Sequence, residues 1–282
     1  MPIVERAGRV IHCTREGDGP GIVLVPGLGH FYLGQWGVGA TSIAWNGLFI
    51  FAIASAVLSG DIGIAAVLIL IMVVGGRIIP SFTRNWLMRR NPGRLPAPFG
   101  RFDVACIALS SAGLALWVVT PEEAPTGVAL LAVAALNLVR LCRWAGDRSF
   151  ADRLVLVLHV GYAFVPLGFL LAGLSAFGIT APSAGVHAWT AGAFGIMTLA
   201  VMSRASLGHT GRALIASPAL QAVYAAALVA ALARICAVLH PAWSEGLLYV
   251  AAFAWAAAFL GFASLYAPIL CRRGLKAASA PS

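Results

Sequence analysis

The chain has 282 residues, of which 60% are hydrophobic and only 10% charged, and its mean hydropathy is +0.90. This composition excludes an ordinary soluble domain, and apolar runs of about 20 residues predict membrane-spanning helices rather than barrel strands. The net charge of +9 does not indicate nucleic-acid binding, because the basic residues gather in alternate connectors of a membrane protein.

The first 40 residues are predicted to lie outside the helical bundle. Residues 1–20 read as a polar cytoplasmic tail. Residues 21–40 are apolar but broken by Pro26 and several glycines, which indicates an interfacial or re-entrant segment; a short spanning helix is the alternative. Residues 41–282 are then the transmembrane domain, with a short C-terminal tail.

Eight apolar runs follow, each long enough to cross a bilayer with some tilt. We therefore predict an all-α, polytopic membrane bundle of about eight helices. The runs are 41–59, 62–80, 102–120, 127–146, 153–178, 184–206, 217–239 and 246–270.

The charges alternate between the connectors. Arginines, or arginines and lysine, follow the second, fourth, sixth and eighth runs, whereas the other connectors carry acids or no charge. Because basic loops remain on the cytoplasmic side, this alternation predicts that both termini are cytoplasmic. The predicted partner is thus the lipid bilayer and not a nucleic acid.

The sixth run carries a histidine near each end, His187 and His209, and ionisable residues at membrane depth are functional candidates. In a continuous α-helix the two would lie roughly 33 Å apart, too far to share one metal ion. Helical spacing predicts one broad face with His187, Thr198, Met202 and His209. The alternative is a histidine at each interface that reaches the headgroups.

Three long motifs resemble the signature of the NnrS family of bacterial multi-helix membrane proteins. They are GGRIIPSFT at residues 75–83, LHVGY at 158–162 and GAFGIMTLAVMSRASLGHTGR at 192–212. The resemblance covers roughly residues 41–270, and the family usually has about four more helices ahead of the first motif than this sequence has room for. It implies association with haem and copper, and with the response to nitric oxide in denitrifying or nitrosatively stressed bacteria.

The candidate metal ligands are His159, His187 and His209, since neutral imidazole suits iron and copper. His159 could be an axial ligand, with Tyr162 at i+3 as a supporting hydrogen-bond donor. The alternatives are a histidine bonded to a neighbouring helix for His159 and a helix end for His209. Met197 and Met202 could bind Cu(I), but such methionines more often serve packing.

Arg77, Arg204 and Arg212 could bind haem propionates or another anionic group, because guanidinium binds carboxylates bidentately. The alternative is that they determine topology and extend to the headgroups. Arg77 lies between two glycines and Pro80, so we expect the helix to break there and free backbone groups. No catalytic residue is assigned.

The leading hypothesis is an NnrS-like inner-membrane protein that binds haem b, copper or both and protects against nitrosative stress. Binding of nitric oxide at the metal would explain this, whereas turnover does not follow from the sequence. A secondary transporter for an anion or metal complex is the first alternative. A non-catalytic membrane scaffold with structural histidines is the second.

Overall fold

A computed structural model describes residues 3–6, 9–12, 60–90, 93–210 and 212–271. Strands β1 (Ile3–Arg6) and β2 (Arg9–His12) pair antiparallel, with Ile3 opposite His12. This hairpin, which the prediction of a polar tail did not include, belongs to a unit spanning Met1–Leu48. The helices belong to a second unit, Phe49–Ser282.

The described helices form seven candidate membrane spans, and they confirm an all-α polytopic membrane protein. Predicted residues 21–40 and the first run, 41–59, lie outside the described residues. The helices are α1 (Asp61–Arg90), α2 (Arg101–Val119), α3 (Ala124–Cys142), α4 (Arg153–Ser175), α5 (Pro182–His187), α6 (Met197–His209), α7 (Pro218–Leu239) and α8 (Ser244–Cys271).

Helix α1 does not break at the glycine pair, so the expected helix end beside Arg77 is wrong. The helix passes through Pro80 and ends at Arg90, ten residues beyond the predicted boundary. Proline removes one backbone donor, but the surrounding bundle can hold the remaining turns together. The Thr83 hydroxyl donates to Ile79 O at 2.7 Å, a local bond of the kind that accompanies bent helices.

The sixth predicted run is one span in three pieces, because a π-helical segment, Ala188–Ile196, joins α5 to α6. Wide turns of this kind are rare and frequent at functional sites. Trp189 anchors the segment against α4, where its indole N–H donates to Val165 O at 3.2 Å. The indole lies over Gly168, where a side chain would collide with it. The packing of this indole against α4 therefore depends on that glycine.

Large apolar side chains point away from the bundle, as expected for a surface that faces lipid. Phe253 and Leu260 of α8 are 74% and 68% exposed. By contrast, α4 is the most buried span, in contact with α3, α5 and the π segment. The polar side chains of the interior are consequently concentrated around α4.

Candidate cofactor pocket and buried polar cluster

The interior contains a fully buried arginine, Arg140, near the end of α3. Its Nε donates to Asp103 Oδ1 at 2.8 Å, and the side-chain exposures of the pair are 0% and 4%. Its Nη1 donates to Met72 O and to the Tyr162 hydroxyl, each at 3.0 Å. Buried charges are tolerated when they are paired and hydrogen-bonded in this way. One side chain thus links α1, α2, α3 and α4.

Tyr162 extends this network back to α3. Its hydroxyl donates to Asn137 Oδ1 at 3.0 Å, and Asn137 Nδ2 donates to Ser110 Oγ at 2.9 Å. We name Asp103, Ser110, Asn137, Arg140 and Tyr162 the buried polar cluster. The supporting role of Tyr162 beside His159 remains a prediction. In the structure the Tyr162 hydroxyl contacts Arg140 and Asn137 instead.

Gly76, the second glycine of the first motif, explains how the guanidinium fits. A Cβ at Gly76 would lie 2.7 Å from Arg140 Cζ and still closer to Nη2. Within the described residues Nη2 has no hydrogen-bond partner, and it lies against Gly76 of α1. The motif glycine therefore makes room for a charge on another helix.

His159 is buried, with 6% exposure, and is enclosed by protein. Its Nδ1 lies 3.1 Å from Val155 O, and its Nε2 lies 3.5 Å from Thr83 Oγ1. A Cβ at Gly146 would lie 3.0 Å from the ring carbon Cγ. A metal at Nε2 would have to displace Thr83. The contacts favour the alternative of a histidine bonded to its neighbours, and ligation stays a prediction.

His187 instead faces a cavity of about 430 Å³ between the π segment, α7 and α8. We name it the His187 pocket. Its walls are mostly apolar and include Phe194 and Trp255, and Arg234 is its second basic side chain. The remaining lining residues are Thr190, Ala191, Ala230, Leu248, Ala251 and Ala252.

Both basic groups of this pocket are half-buried and lack a hydrogen-bond partner among residues 60–90, 93–210 and 212–271. An apolar pocket with a few convergent polar groups is the usual form of a cofactor site, and its volume falls within the common range of about 300–1,000 Å³. Arg234 lies near the C-terminal end of α7, and no motif in the sequence connects it with His187. Its approach to His187, 47 positions earlier, is a result of the fold.

The π segment alters the predicted face of the sixth span. His187 lines its own pocket, whereas Thr198 and Met202 line a separate apolar cavity against α1, together with Met197. Phe194 borders both cavities. The common face calculated from α-helical spacing is therefore wrong for these residues, because π turns contain more residues than α turns.

The three predicted arginines do not converge on either histidine. Arg77 is exposed, and its Cζ lies 4.6 Å from the Phe99 ring centroid. Arg204 is half-buried over Phe82, at 4.2 Å, and its Nη1 is buried without a partner in the described chain. Arg212 is exposed in the connector after α6. None of them lines the His187 pocket.

His209 is the last residue of α6, and its side chain lies outside the described part. Among the side chains that are described, no group of three or more histidine, cysteine, aspartate or glutamate residues could hold a metal ion. A haem needs only one or two axial protein ligands, whereas a metal held by protein alone needs several. The His187 pocket offers one imidazole of this kind.

Comparison with known families identifies the family to which the chain belongs. A family profile described as NnrS protein matches residues 19–273. The chain belongs to the NnrS family. The match begins upstream of residue 41, so the NnrS similarity extends further toward the N-terminus than the three motifs indicate. No curated protein and no solved structure gives a significant match.

Proposed function

We propose that this NnrS-family protein binds haem b in the His187 pocket and protects a bacterium against nitric oxide and nitrosative stress. The observation that carries the proposal is the pairing of an imidazole and a guanidinium, both unpartnered in the described residues, inside one apolar cavity. The link to nitric oxide, denitrification and copper comes from the family resemblance.

The pocket residues would divide the work of holding the group. His187 would hold the iron through one imidazole nitrogen. Arg234 would bind a propionate, since guanidinium and carboxylate form two parallel hydrogen bonds. Phe194 and Trp255 would pack on the macrocycle and exclude water. The haem iron, when bound, supplies a coordination position at which a small ligand such as nitric oxide can bind.

Absorption spectroscopy with metal analysis tests this proposal on protein purified in mild detergent from cells supplied with haem and copper. We expect a Soret band that shifts with nitric oxide and is lost in His187→Ala. Arg234→Gln should lower haem occupancy and leave the band position nearly unchanged. His240→Ala is the matched control, because this exposed histidine follows α7 and does not line the pocket.

Other outcomes assign a different site or function. Loss of the band in His159→Ala or His209→Ala, but not in His187→Ala, would move the ligand to the other end of the bundle. Stoichiometric copper without a chromophore would replace haem by copper. Folded protein with neither would refute cofactor binding, and anion- or metal-complex-dependent flux in vesicles would then favour a secondary transporter.

We further propose that the protein lies in the bacterial inner membrane with both termini in the cytoplasm. The charge alternation supports this orientation. Cys142, an exposed residue at the end of α3, then faces the cytoplasm. In a variant whose only cysteine is Cys142, an impermeant maleimide should react only after the membrane is opened. Gly246→Cys, exposed near the start of α8, should react in intact spheroplasts on the same cysteine-free background.

A further inference from the structure

The end of the bundle opposite the His187 pocket contains a larger cavity. It measures about 880 Å³ and lies between the C-terminus of α1 and the N-termini of α4 and α7. We name it the Arg90 pocket. Its lining residues are Trp86, Arg90, Ala151, Asp152, Arg153, Leu214, Ile215, Ala216 and Gln221. The charge alternation predicts that this end is cytoplasmic.

The acidic side chains at this end of residues 60–271 are already engaged. Asp103 pairs with Arg140, and Asp147 pairs with Arg94. Asp152 lines the cavity, but its Oδ1 accepts the backbone N–H groups of Leu154 at 2.9 Å and Val155 at 3.3 Å. Among the described residues, Asp152 is the carboxylate that lines the cavity, so its single negative charge leaves a net positive charge from Arg90 and Arg153.

Arg90 and Arg153 are the two cations of the Arg90 pocket, and each is exposed at the end of a span. Neither has a hydrogen bond or ion pair with any residue of the described ranges. The other polar side chain, Gln221, donates to Ala216 O at 3.0 Å. Two guanidinium groups from different helices thus border one cavity, and their donors have no partner within residues 60–90, 93–210 and 212–271.

The remaining walls are apolar. Ile215 is 72% exposed and Leu214 is 43% exposed, and Trp86 is half-buried beside them. Tryptophan favours the headgroup level of a bilayer, because its ring is largely apolar whereas its N–H can bond to water. Two guanidinium groups next to an apolar wall at a membrane surface match the chemistry of a phosphate attached to an acyl glycerol. Guanidinium binds phosphate bidentately.

We propose that the Arg90 pocket binds the phosphate headgroup of an anionic phospholipid, with Arg90 and Arg153 as the phosphate ligands and Trp86 and Ile215 against the glycerol and upper acyl region. Such basic pockets between spans at the cytoplasmic surface are suited to anionic headgroups. The site is independent of any cofactor in the His187 pocket.

Native mass spectrometry of the detergent-purified full chain tests the proposal. The probes are short-chain phosphatidylglycerol, short-chain phosphatidylcholine and inorganic phosphate. We expect phosphatidylglycerol to bind and the Arg90→Gln, Arg153→Gln double variant to weaken that binding roughly tenfold or more. The matched control is the Arg101→Gln, Arg143→Gln double variant, which removes the same charge from the same end outside the cavity.

The outcomes distinguish binding in the Arg90 pocket from non-specific attraction to surface charge. Retained phosphatidylglycerol in the control and loss in the Arg90 pocket variant would support the proposal. Equal loss in both variants would overturn it in favour of non-specific attraction. Equal affinity for inorganic phosphate would overturn the lipid assignment. Gel filtration and circular dichroism exclude misfolding, and Arg90→Lys with Arg153→Lys should restore part of the affinity if charge is what the site requires.

Discussion

Substitution of Asp103 by asparagine is expected to destabilise the protein strongly. Asparagine preserves the shape of the side chain and one acceptor but removes the charge that faces Arg140 Nε at 2.8 Å. The arginine is fully buried and keeps only neutral partners, Met72 O and the Tyr162 hydroxyl. Breaking a buried pair from one side costs about 3–5 kcal/mol, because the other charge remains uncompensated.

The matched control is Asp147→Asn. Asp147 pairs with Arg94, but the two side chains are 62% and 56% exposed, so its loss should cost about 0–1 kcal/mol. The free energy of unfolding would be measured from reversible titration of detergent micelles with dodecyl sulfate, followed by circular dichroism. A double Asp103→Leu, Arg140→Met variant should recover most of the loss. Equal costs below about 1 kcal/mol for both single variants would refute the reasoning.

Three further substitutions can be measured in the same titration. Gly76→Ala should cost about 1–3 kcal/mol, because the new methyl group would overlap the held guanidinium of Arg140; a neutral result would mean that α1 shifts freely. Tyr162→Phe removes a hydroxyl with two hydrogen bonds and should cost about 1–3 kcal/mol, and an unchanged midpoint would contradict the network. Ser217→Ala removes the cap that accepts from the Leu220 N–H and should cost about 1 kcal/mol, whereas Ser217→Gly should cost less.

Hydrophobic length was sufficient to predict the seven spans that lie among residues 60–271. Apolar length and the alternation of basic loops placed the last seven runs close to the observed helices, since both follow from the thickness and polarity of the bilayer. The end of α1 was missed by ten residues. Proline and glycine usually weaken a helix in water, but neighbouring helices in a membrane can support one through such residues.

Pairing between distant residues could not be predicted in the same way. Asp103 lies near the start of α2 and Arg140 near the end of α3, and nothing in a single sequence joins positions 37 apart. The π segment was also missed, because hydrophobic spacing does not distinguish its hydrogen bonds from those of an α-helix. Its consequence is local but functional, since it assigns His187 and Met202 to different cavities.

The polar groups of this bundle fall into two classes, those with hydrogen-bond partners in the described protein and those without. Arg140 and Tyr162 have buried partners on other helices, so their substitution should change stability first. His187 and Arg234 border a cavity and have no such partner in the described chain, and in our proposal a bound haem supplies it. A ligand that binds only the folded state stabilises it by mass action. Haem should therefore raise the unfolding midpoint of the wild type and of Tyr162→Phe alike, but not that of His187→Ala, and an equal rise in all three would place the haem elsewhere.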